Sequence, residues 1–307
     1  MTDKTFSIFH AIGNTPLIEL KNINGDNKVK LLGKFEGANP GGSVKDRAAY
    51  YMIMKAEESG QLSKDKTIVE PTSGNMGIAL AMIGAAKGYR VKLFMPECVS
   101  TERQGALMAL GAEVILTPAK ESTDGAIRRA VEFVNSAPEK YFMPNQFDNP
   151  NNVLAHYETT GPEIFTQTNG EVDVFVAGMG TTGTLMGTSK YLKEKKPSVK
   201  IVAVEPTVGH TIQGLKNMTE AIVPKIYHAE TYDEKIVVQD GEAFETTRLL
   251  ATKEGLFLGM SSGAAVVGAL QAASKMERGT IVVILPDRGD RYLSTTLFRS
   301  VCAKCPP

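Results

Sequence analysis

Short β-rich runs alternate with helical stretches along almost the whole chain, and this alternation narrows the accessible folds more than any other feature. Apolar runs at 29–35, 67–70, 90–95, 113–117, 172–177, 200–204 and 280–285 read as strands. Helices are expected from Ser43 as cap to about Ser59, stopped by Gly60, and at 75–87, stopped by Gly88. Others are expected from a Ser100 cap to Gly111 and at 125–135, 184–195 and 263–276. Such a pattern gives parallel sheets covered on both faces. The irregular stretch 143–152 (Met-Pro-Asn-Gln-Phe-Asp-Asn-Pro-Asn-Asn) is the best internal boundary, with an α/β layer on each side and a cleft between. Ligands of these sheets bind beyond the carboxyl ends of strands, so the residues right after each strand carry the information.

Composition removes several function classes. Thirty-four basic residues balance thirty-four acidic ones, so the footprint of a nucleic-acid or anionic-membrane binder is missing. Aromatic residues are 7% and Trp is absent, which leaves little for base stacking. The longest mostly apolar stretch, 76–86, falls far short of the ~20 residues a membrane span needs. Three cysteines cannot build a disulfide framework, and residues 1–8 hold no apolar signal segment. The expectation is a cytosolic, reduced protein acting on small molecules. At 307 residues the chain can hold two domains.

Four segments after strands carry chemistry. Gly178-Met179-Gly180-Thr181-Thr182-Gly183-Thr184 opens a helix; its glycines permit close backbone approach, and helix N-terminal amides point at an anion. It reads as a phosphate cradle, against a bare tight turn. The same spacing satisfies Gly-x-Gly-x-x-Gly, and Glu205 closes the next strand about where a ribose-binding acid would stand, so an NAD-dependent oxidoreductase is a rival. Asn39-Pro40-Gly41-Gly42-Ser43-Val44-Lys45-Asp46-Arg47 puts a lysine in a helix's first turn. There the dipole, and desolvation in a cleft, lower an amine's pKa and suit it to a Schiff base with an aldehyde. Otherwise Lys45 is a solvated helix-end lysine. Pro71-Thr72-Ser73-Gly74-Asn75-Met76-Gly77 gathers hydroxyls, an amide and backbone N–H groups suited to a carboxylate or ring hydroxyl, or it is an ordinary cap. Gly259-Met260-Ser261-Ser262-Gly263 places hydroxyls at another helix start and has the same alternative.

A phosphate cradle, a low-pKa lysine and a carboxylate loop together describe pyridoxal 5'-phosphate and an amino acid. Nothing in the dinucleotide reading needs Lys45.

At this point the chain resembles a known family. Ile12-Gly13-Asn14-Thr15-Pro16-Leu17, Ser43-Val44-Lys45-Asp46-Arg47, Thr72-Ser73-Gly74-Asn75 and Gly180-Thr181-Thr182-Gly183-Thr184 are similar to segments of the cysteine synthases (O-acetylserine sulfhydrylases). So are Asn145-Gln146-Phe147, Thr160-Gly161-Pro162-Glu163, Ser261-Ser262-Gly263 and Asp290-Arg291-Tyr292-Leu293-Ser294-Thr295. The likeness runs in order over nearly the whole chain and is nearest the cysteine synthase B type of the fold-type II pyridoxal phosphate enzymes.

The resemblance implies an α/β fold of two three-layer αβα domains with mostly parallel sheets and the active site in the cleft between them. Residues 41–146 would form the smaller, mobile domain holding the substrate carboxylate. Residues 1–40 and 147–307 would form the larger one holding the cofactor phosphate. Lys45 would carry the cofactor and act as base on the α-proton, and Asn75 would bond its ring hydroxyl. Gly180, Thr181, Thr182, Gly183 and Thr184 would hold its phosphate, and Ser261 would face its pyridine nitrogen. Thr72, Ser73, Asn75, Met76 and Gln146 would bind the substrate. The implied activity is that of a transferase: β-replacement of O-acetyl-L-serine by sulfide, through an aminoacrylate, giving L-cysteine. The implied assembly is a homodimer. Cystathionine β-synthase-like activity and a non-catalytic homologue are alternatives; the retained Lys45, Asn75 and Ser261 argue against the second.

Some positions depart from the pattern. Met76 stands where the family usually has threonine, so a side-chain donor is lost while the backbone amide remains. The segment around Gly214 to Pro224 resembles a branch that uses O-phospho-L-serine, in which Lys216 would face the substrate phosphate as a point charge; otherwise it is a solvated loop lysine. His210 could line the entrance or be structural. Cys98 reads as structural. Cys302 and Cys305 supply at most half a zinc site, with a sulfur-handling or redox dithiol as the functional reading of that tail.

Overall fold

The computed structural model describes residues 7–25, 28–72 and 74–299. Ser73, Cys302 and Cys305 therefore lie outside the described residues. The strands are β1 (Leu17–Glu19), β2 (Val29–Phe35), β3 (Thr67–Pro71), β4 (Arg90–Pro96), β5 (Glu113–Thr117), β6 (Tyr141–Phe142), β7 (Val174–Gly178), β8 (Lys200–Pro206), β9 (Glu234–Val238) and β10 (Gly279–Leu285). The helices are α1 (Lys21–Asn24), α2 (Lys45–Glu58), α3 (Asn75–Lys87), α4 (Thr101–Ala109), α5 (Ser122–Asn135), α6 (Pro150–Ala155), α7 (Gly161–Gln167), α8 (Gly183–Lys195), α9 (Asp240–Glu254), α10 (Met260–Ala273) and α11 (Thr296–Arg299).

Two sheets result. One has the order β1-β2-β10-β7-β8-β9, parallel except for the β1–β2 pair; the other has the order β5-β4-β3-β6 and is parallel throughout. The N-terminal strands β1 and β2 sit in the sheet of the C-terminal half, so a single cut at 143–152 does not separate the layers. Strands β3, β7 and β10 are buried almost throughout, as strands with helices on both faces must be. Alternation along β7 shows the two faces: Val174 and Val176 join Val266 of α10 and Leu250 of α9, whereas Phe175 and Ala177 join Leu185 and Leu192 of α8. In the smaller sheet, Ile68 and Leu93 pack with Met52 of α2 and Leu80 of α3, while Val69 and Phe94 pack with Ala126 and Ala130 of α5.

The element ends explain the boundaries. Gly88, left-handed at φ 75°, ends α3 with its N–H on the Gly84 and Ala85 carbonyls. Asn149 caps α6 by accepting from the Asn151 N–H at 2.9 Å, which turns part of the expected irregular boundary into a helix start. The last long helix begins at Met260 rather than at 263, so Ser261 lies inside its first turn. What places the site is the junction of α2 with β10. The Val44 N–H donates to the Pro286 carbonyl at 2.8 Å, and Ser43 pairs with Asp287, so the start of the Lys45 helix is fixed at the carboxyl end of the last strand.

Candidate active site

The carboxyl ends of β3, β4, β7 and β10 surround one cavity of about 740 Å³. Lys45, Thr72, Asn75, Met76, Gln146, Gly180, Thr181, Thr182, Thr184, Lys216 and Ser261 all line it. Gly183 does not line it; it opens α8 against Asn152, whose Oδ1 a Cβ there would strike.

Lys45 is the first residue of α2. Burial lowers its amine to about 8, with the Asp287 carboxylate pulling the other way. Asp287 is buried and holds the neighbourhood together: its Oδ2 accepts from Asn75 Nδ2 at 2.7 Å and from the Tyr292 hydroxyl at 2.6 Å. Arg291 Nη1 donates to Asn75 Oδ1 at 2.6 Å, and its Nη2 to the Gly41 carbonyl at 2.7 Å. The Asn75 amide is thereby fixed, with one of its two N–H groups left over for a ligand.

The loop after β7 is shaped for an anion. Thr182 has φ 69°, and its buried Oγ1 has no hydrogen-bond partner among the described residues. A Cβ on Gly180 would run into the Gly214 carbonyl oxygen, so only glycine lets these two backbones pass. Thr184 Oγ1 sits 3.2 Å from His156 Nε2, and His156 Nδ1 2.9 Å from Thr160 Oγ1. Burial, with Arg47 and Lys45 nearby, holds His156 well below its ordinary pKa, so the ring is neutral.

In the loop after β3, Thr72 Oγ1 accepts from the Gly74 and Gly77 N–H groups at 3.0 and 3.2 Å. Two of the backbone amides expected to face a ligand are thus spent within the loop, while the Thr72 hydroxyl keeps its own hydrogen. Gln146 is held by Glu70, whose carboxylate accepts from the Asn145 and Gln146 N–H groups at 2.8 and 2.9 Å. Glu205, the acid a dinucleotide site would need, is buried against Lys235 at 2.7 Å and the Met218 N–H at 2.9 Å.

Residues 8–287 match the model of the family described as pyridoxal-phosphate dependent enzyme. Cysteine synthase B of Escherichia coli (strain K12) is 47% identical over 288 residues, 94% of each chain. The chain belongs to the cysteine synthase family of pyridoxal-phosphate-dependent enzymes. A cysteine synthase of Staphylococcus aureus (strain N315) is 45% identical, covering 95% of this chain and 96% of that one. The solved cysteine synthase of Entamoeba histolytica superposes with a TM-score of 0.91 at 40% identity, covering 97% of this chain and 92% of the other. The αβα architecture is thus the fold-type II arrangement of the family.

The residues fit the family's cofactor. An amine of lowered basicity suits an aldehyde, the unpartnered Thr182 hydroxyl suits a phosphate oxygen, and Gly180 leaves room that any other residue would fill. Lys216, expected to face a substrate phosphate or else to be a solvated loop lysine, lines the cavity, 3.6 Å from Asp124 and over the Phe147 ring at 4.8 Å. One expectation is corrected beside it. Cys98 is exposed at the cavity wall rather than packed as a structural residue. Met76 both lines the cavity and packs in the core of the smaller sheet, and His210 lines the cavity wall.

Several residues of this cysteine synthase family site escaped the sequence reading. Asp287 stands right after the last apolar strand, where inspection of strand ends would have found it. Arg103 of α4 lies beside Gly74, stacks its guanidinium over Tyr292 at 4.4 Å and donates to Gln213; nothing in its local sequence marks it. Among the described residues no helix is long and apolar enough to cross a membrane, and no cluster of His, Cys, Asp or Glu could hold a metal.

Proposed function

We propose that the protein makes L-cysteine from O-acetyl-L-serine and sulfide by β-replacement, with Lys45 as the group that carries the cofactor and moves the α-proton. The observation that carries the reading is the Lys45 amine, lowered to about 8, sharing one cavity with a glycine–threonine anion loop and a carboxylate loop. Pyridoxal phosphate, when bound, supplies an electron sink for the substrate's α-carbon. Gly180, Thr181, Thr182 and Thr184 would hold its phosphate, Asn75 its ring hydroxyl and Ser261 its pyridine nitrogen. Ser261 is a hydroxyl and not a carboxylate, so it does not keep that nitrogen charged, which favours elimination over competing reactions. Thr72, Ser73, the Met76 amide and Gln146 would grip the substrate carboxylate. Lys45 then removes the α-proton, acetate leaves the β-carbon, sulfide adds there, and Lys45 returns the proton.

Residues 41–146 would move as the smaller domain toward 1–40 plus 147–307, excluding water while the carboxylate is held. Two contacts across the cleft support that reading, Lys216 with Asp124 and Arg103 with Gln213. Because Lys216 already has an acidic partner, acetylserine is preferred over phosphoserine as donor. The reading extends to a cytoplasmic homodimer, of the transferase class, for which the family's character is the support.

The test is spectroscopic. The purified protein should be yellow, and borohydride should bleach it and label Lys45. Adding O-acetyl-L-serine should shift the absorbance, and sulfide should restore it with release of cysteine. A colourless protein, or a label elsewhere, would overturn the reading.

A further inference from the structure

Asn152 stands where two walls of the cavity meet, outside both loops. It belongs to α6 and is 1% exposed. Its Nδ2 donates to the Gln146 carbonyl at 2.8 Å and to Thr181 Oγ1 at 3.1 Å. A carboxamide nitrogen has two hydrogens, so both are committed. The consequence falls on Thr181. A hydroxyl has a single hydrogen, and one whose oxygen accepts from a neighbour keeps that hydrogen to donate elsewhere. Thr181 lines the cavity just before α8 begins, where helix N-terminal amides favour an anion.

We propose that Asn152 is a positioning residue for the cofactor phosphate: its donation to Thr181 Oγ1 turns the Thr181 hydroxyl hydrogen toward the anion. The same amide, through the Gln146 carbonyl, keeps the substrate-carboxylate wall in register with the phosphate loop. The inference rests on the pyridoxal-phosphate reading above. Asn152→Asp reverses the local polarity, because a carboxylate only accepts; the Thr181 hydrogen would swing toward it, and a negative charge would stand beside the phosphate.

The experiment compares pyridoxal phosphate with pyridoxal, which lacks the phosphate, as ligands for the full chain stripped of cofactor. Wild type, Asn152→Asp, Thr181→Val and the double variant are titrated by absorbance. The readout is the preference for the phosphorylated ligand, which general loosening of the cavity would not move, since it weakens both ligands alike. Asn152→Asp should lower that preference by about tenfold or more. Thr181→Val should lower it too, and the double variant should be no worse than the stronger single one. An unchanged preference in either single variant, or additive losses in the double, would overturn the proposal. Should Asn152→Asp fail to fold, Asn152→Ala replaces it under the same criteria. A wild-type chain that binds neither ligand would overturn the cofactor reading and this inference with it.

Discussion

Arg47 and Glu163 meet in a two-point contact, Nη1 to Oε1 at 2.6 Å and Nη2 to Oε2 at 2.7 Å. Arg47 lies two residues past Lys45 on α2, and Glu163 lies on α7, so the pair anchors the lysine's helix to the larger sheet's layer. Glu36 takes Arg47 Nε at 2.7 Å, and Lys34 takes Glu163 Oε2 at 2.7 Å. Breaking one partner out of a buried charge cluster leaves the others uncompensated, at about 3–5 kcal/mol. Arg47→Met should lose about that much stability, read as a lower urea midpoint at unchanged slope. Burial alone would raise the Glu163 carboxyl, but Arg47 and Lys34 outweigh it and hold it at about 2, below the ordinary 4.5. A depressed acid stabilises the fold above 4.5 and loses that contribution as pH falls toward 2. Glu163→Gln should therefore flatten the stability profile in this window; an unchanged profile would count against the pairing.

Lys45 gives a prediction in the alkaline range. With burial holding the amine at about 8, the rate at which cofactor-free protein captures pyridoxal phosphate should climb about tenfold per pH unit below 8 and level off above it. Asp287 opposes the lowering, so Asp287→Asn should move the midpoint to lower pH. Stability has its own sign. Between 8 and the ordinary 10.5 the folded chain binds fewer protons than the unfolded one, so stability rises with pH across that window. Lys45→Met should remove the rise. Capture rates and urea midpoints, each against pH, check both statements.

How much of this was legible beforehand follows from range along the chain. The strands 29–35 and 113–117 and the helix 75–87 are local patterns of period and stop signal, and they appear where expected. The phosphate loop and the Lys45 turn were equally local. Strand β9 and helix α9 went unread because the apolar run of β9 is short, Ile236 to Val238, and the buried stripe of α9 includes the polar Thr246 and Thr247 beside Ala243 and Leu250. The missed site residues act over distance: Asp287 reaches Asn75 across 212 positions, and Arg291 reaches it across 216. Asn152 was hidden inside a stretch that reads as a linker because Asn and Pro normally punctuate turns. Lys216 was marked by its segment as a residue that could face a substrate phosphate, but its partner Asp124 comes from α5 and no local pattern joins the two.

Glu70 carries a third prediction. Burial raises this carboxyl to about 7, although the Gln146 and Asn145 N–H groups pull it down, and no cation is among the influences on it. Its folded value lies above the ordinary 4.5, so folding binds a proton between 4.5 and 7 and stability falls as pH rises through that window. Glu70→Gln removes this slope and leaves one amide oxygen to serve two N–H groups. The loosened partner is Gln146, proposed to grip the substrate carboxylate. The variant should raise KM for O-acetyl-L-serine by about 5- to 30-fold, the scale of one or two kcal/mol of hydrogen bonding, with a smaller change in kcat. Equal losses in KM and kcat would mean that Glu70 supports the fold in general and not this contact.

Gly180 supplies the last prediction, from close packing alone. A methyl group added there would meet the Gly214 carbonyl oxygen, and a backbone oxygen cannot swing aside as a side-chain tip can. Gly180→Ala must push apart the loop before α8 and the loop that carries Gly214. Overpacking of this kind costs about 1–3 kcal/mol, so pyridoxal phosphate should bind roughly 5- to 150-fold more weakly. Gly105→Ala is the matching control, since α4 has open space at that position and alanine is the better helix former. It should leave cofactor affinity alone and raise stability by up to about 1 kcal/mol. Titration of both variants with cofactor, beside their urea midpoints, separates a blocked cradle from a merely altered glycine; equal affinities in the two would show that the contact at Gly214 is not what shapes the loop.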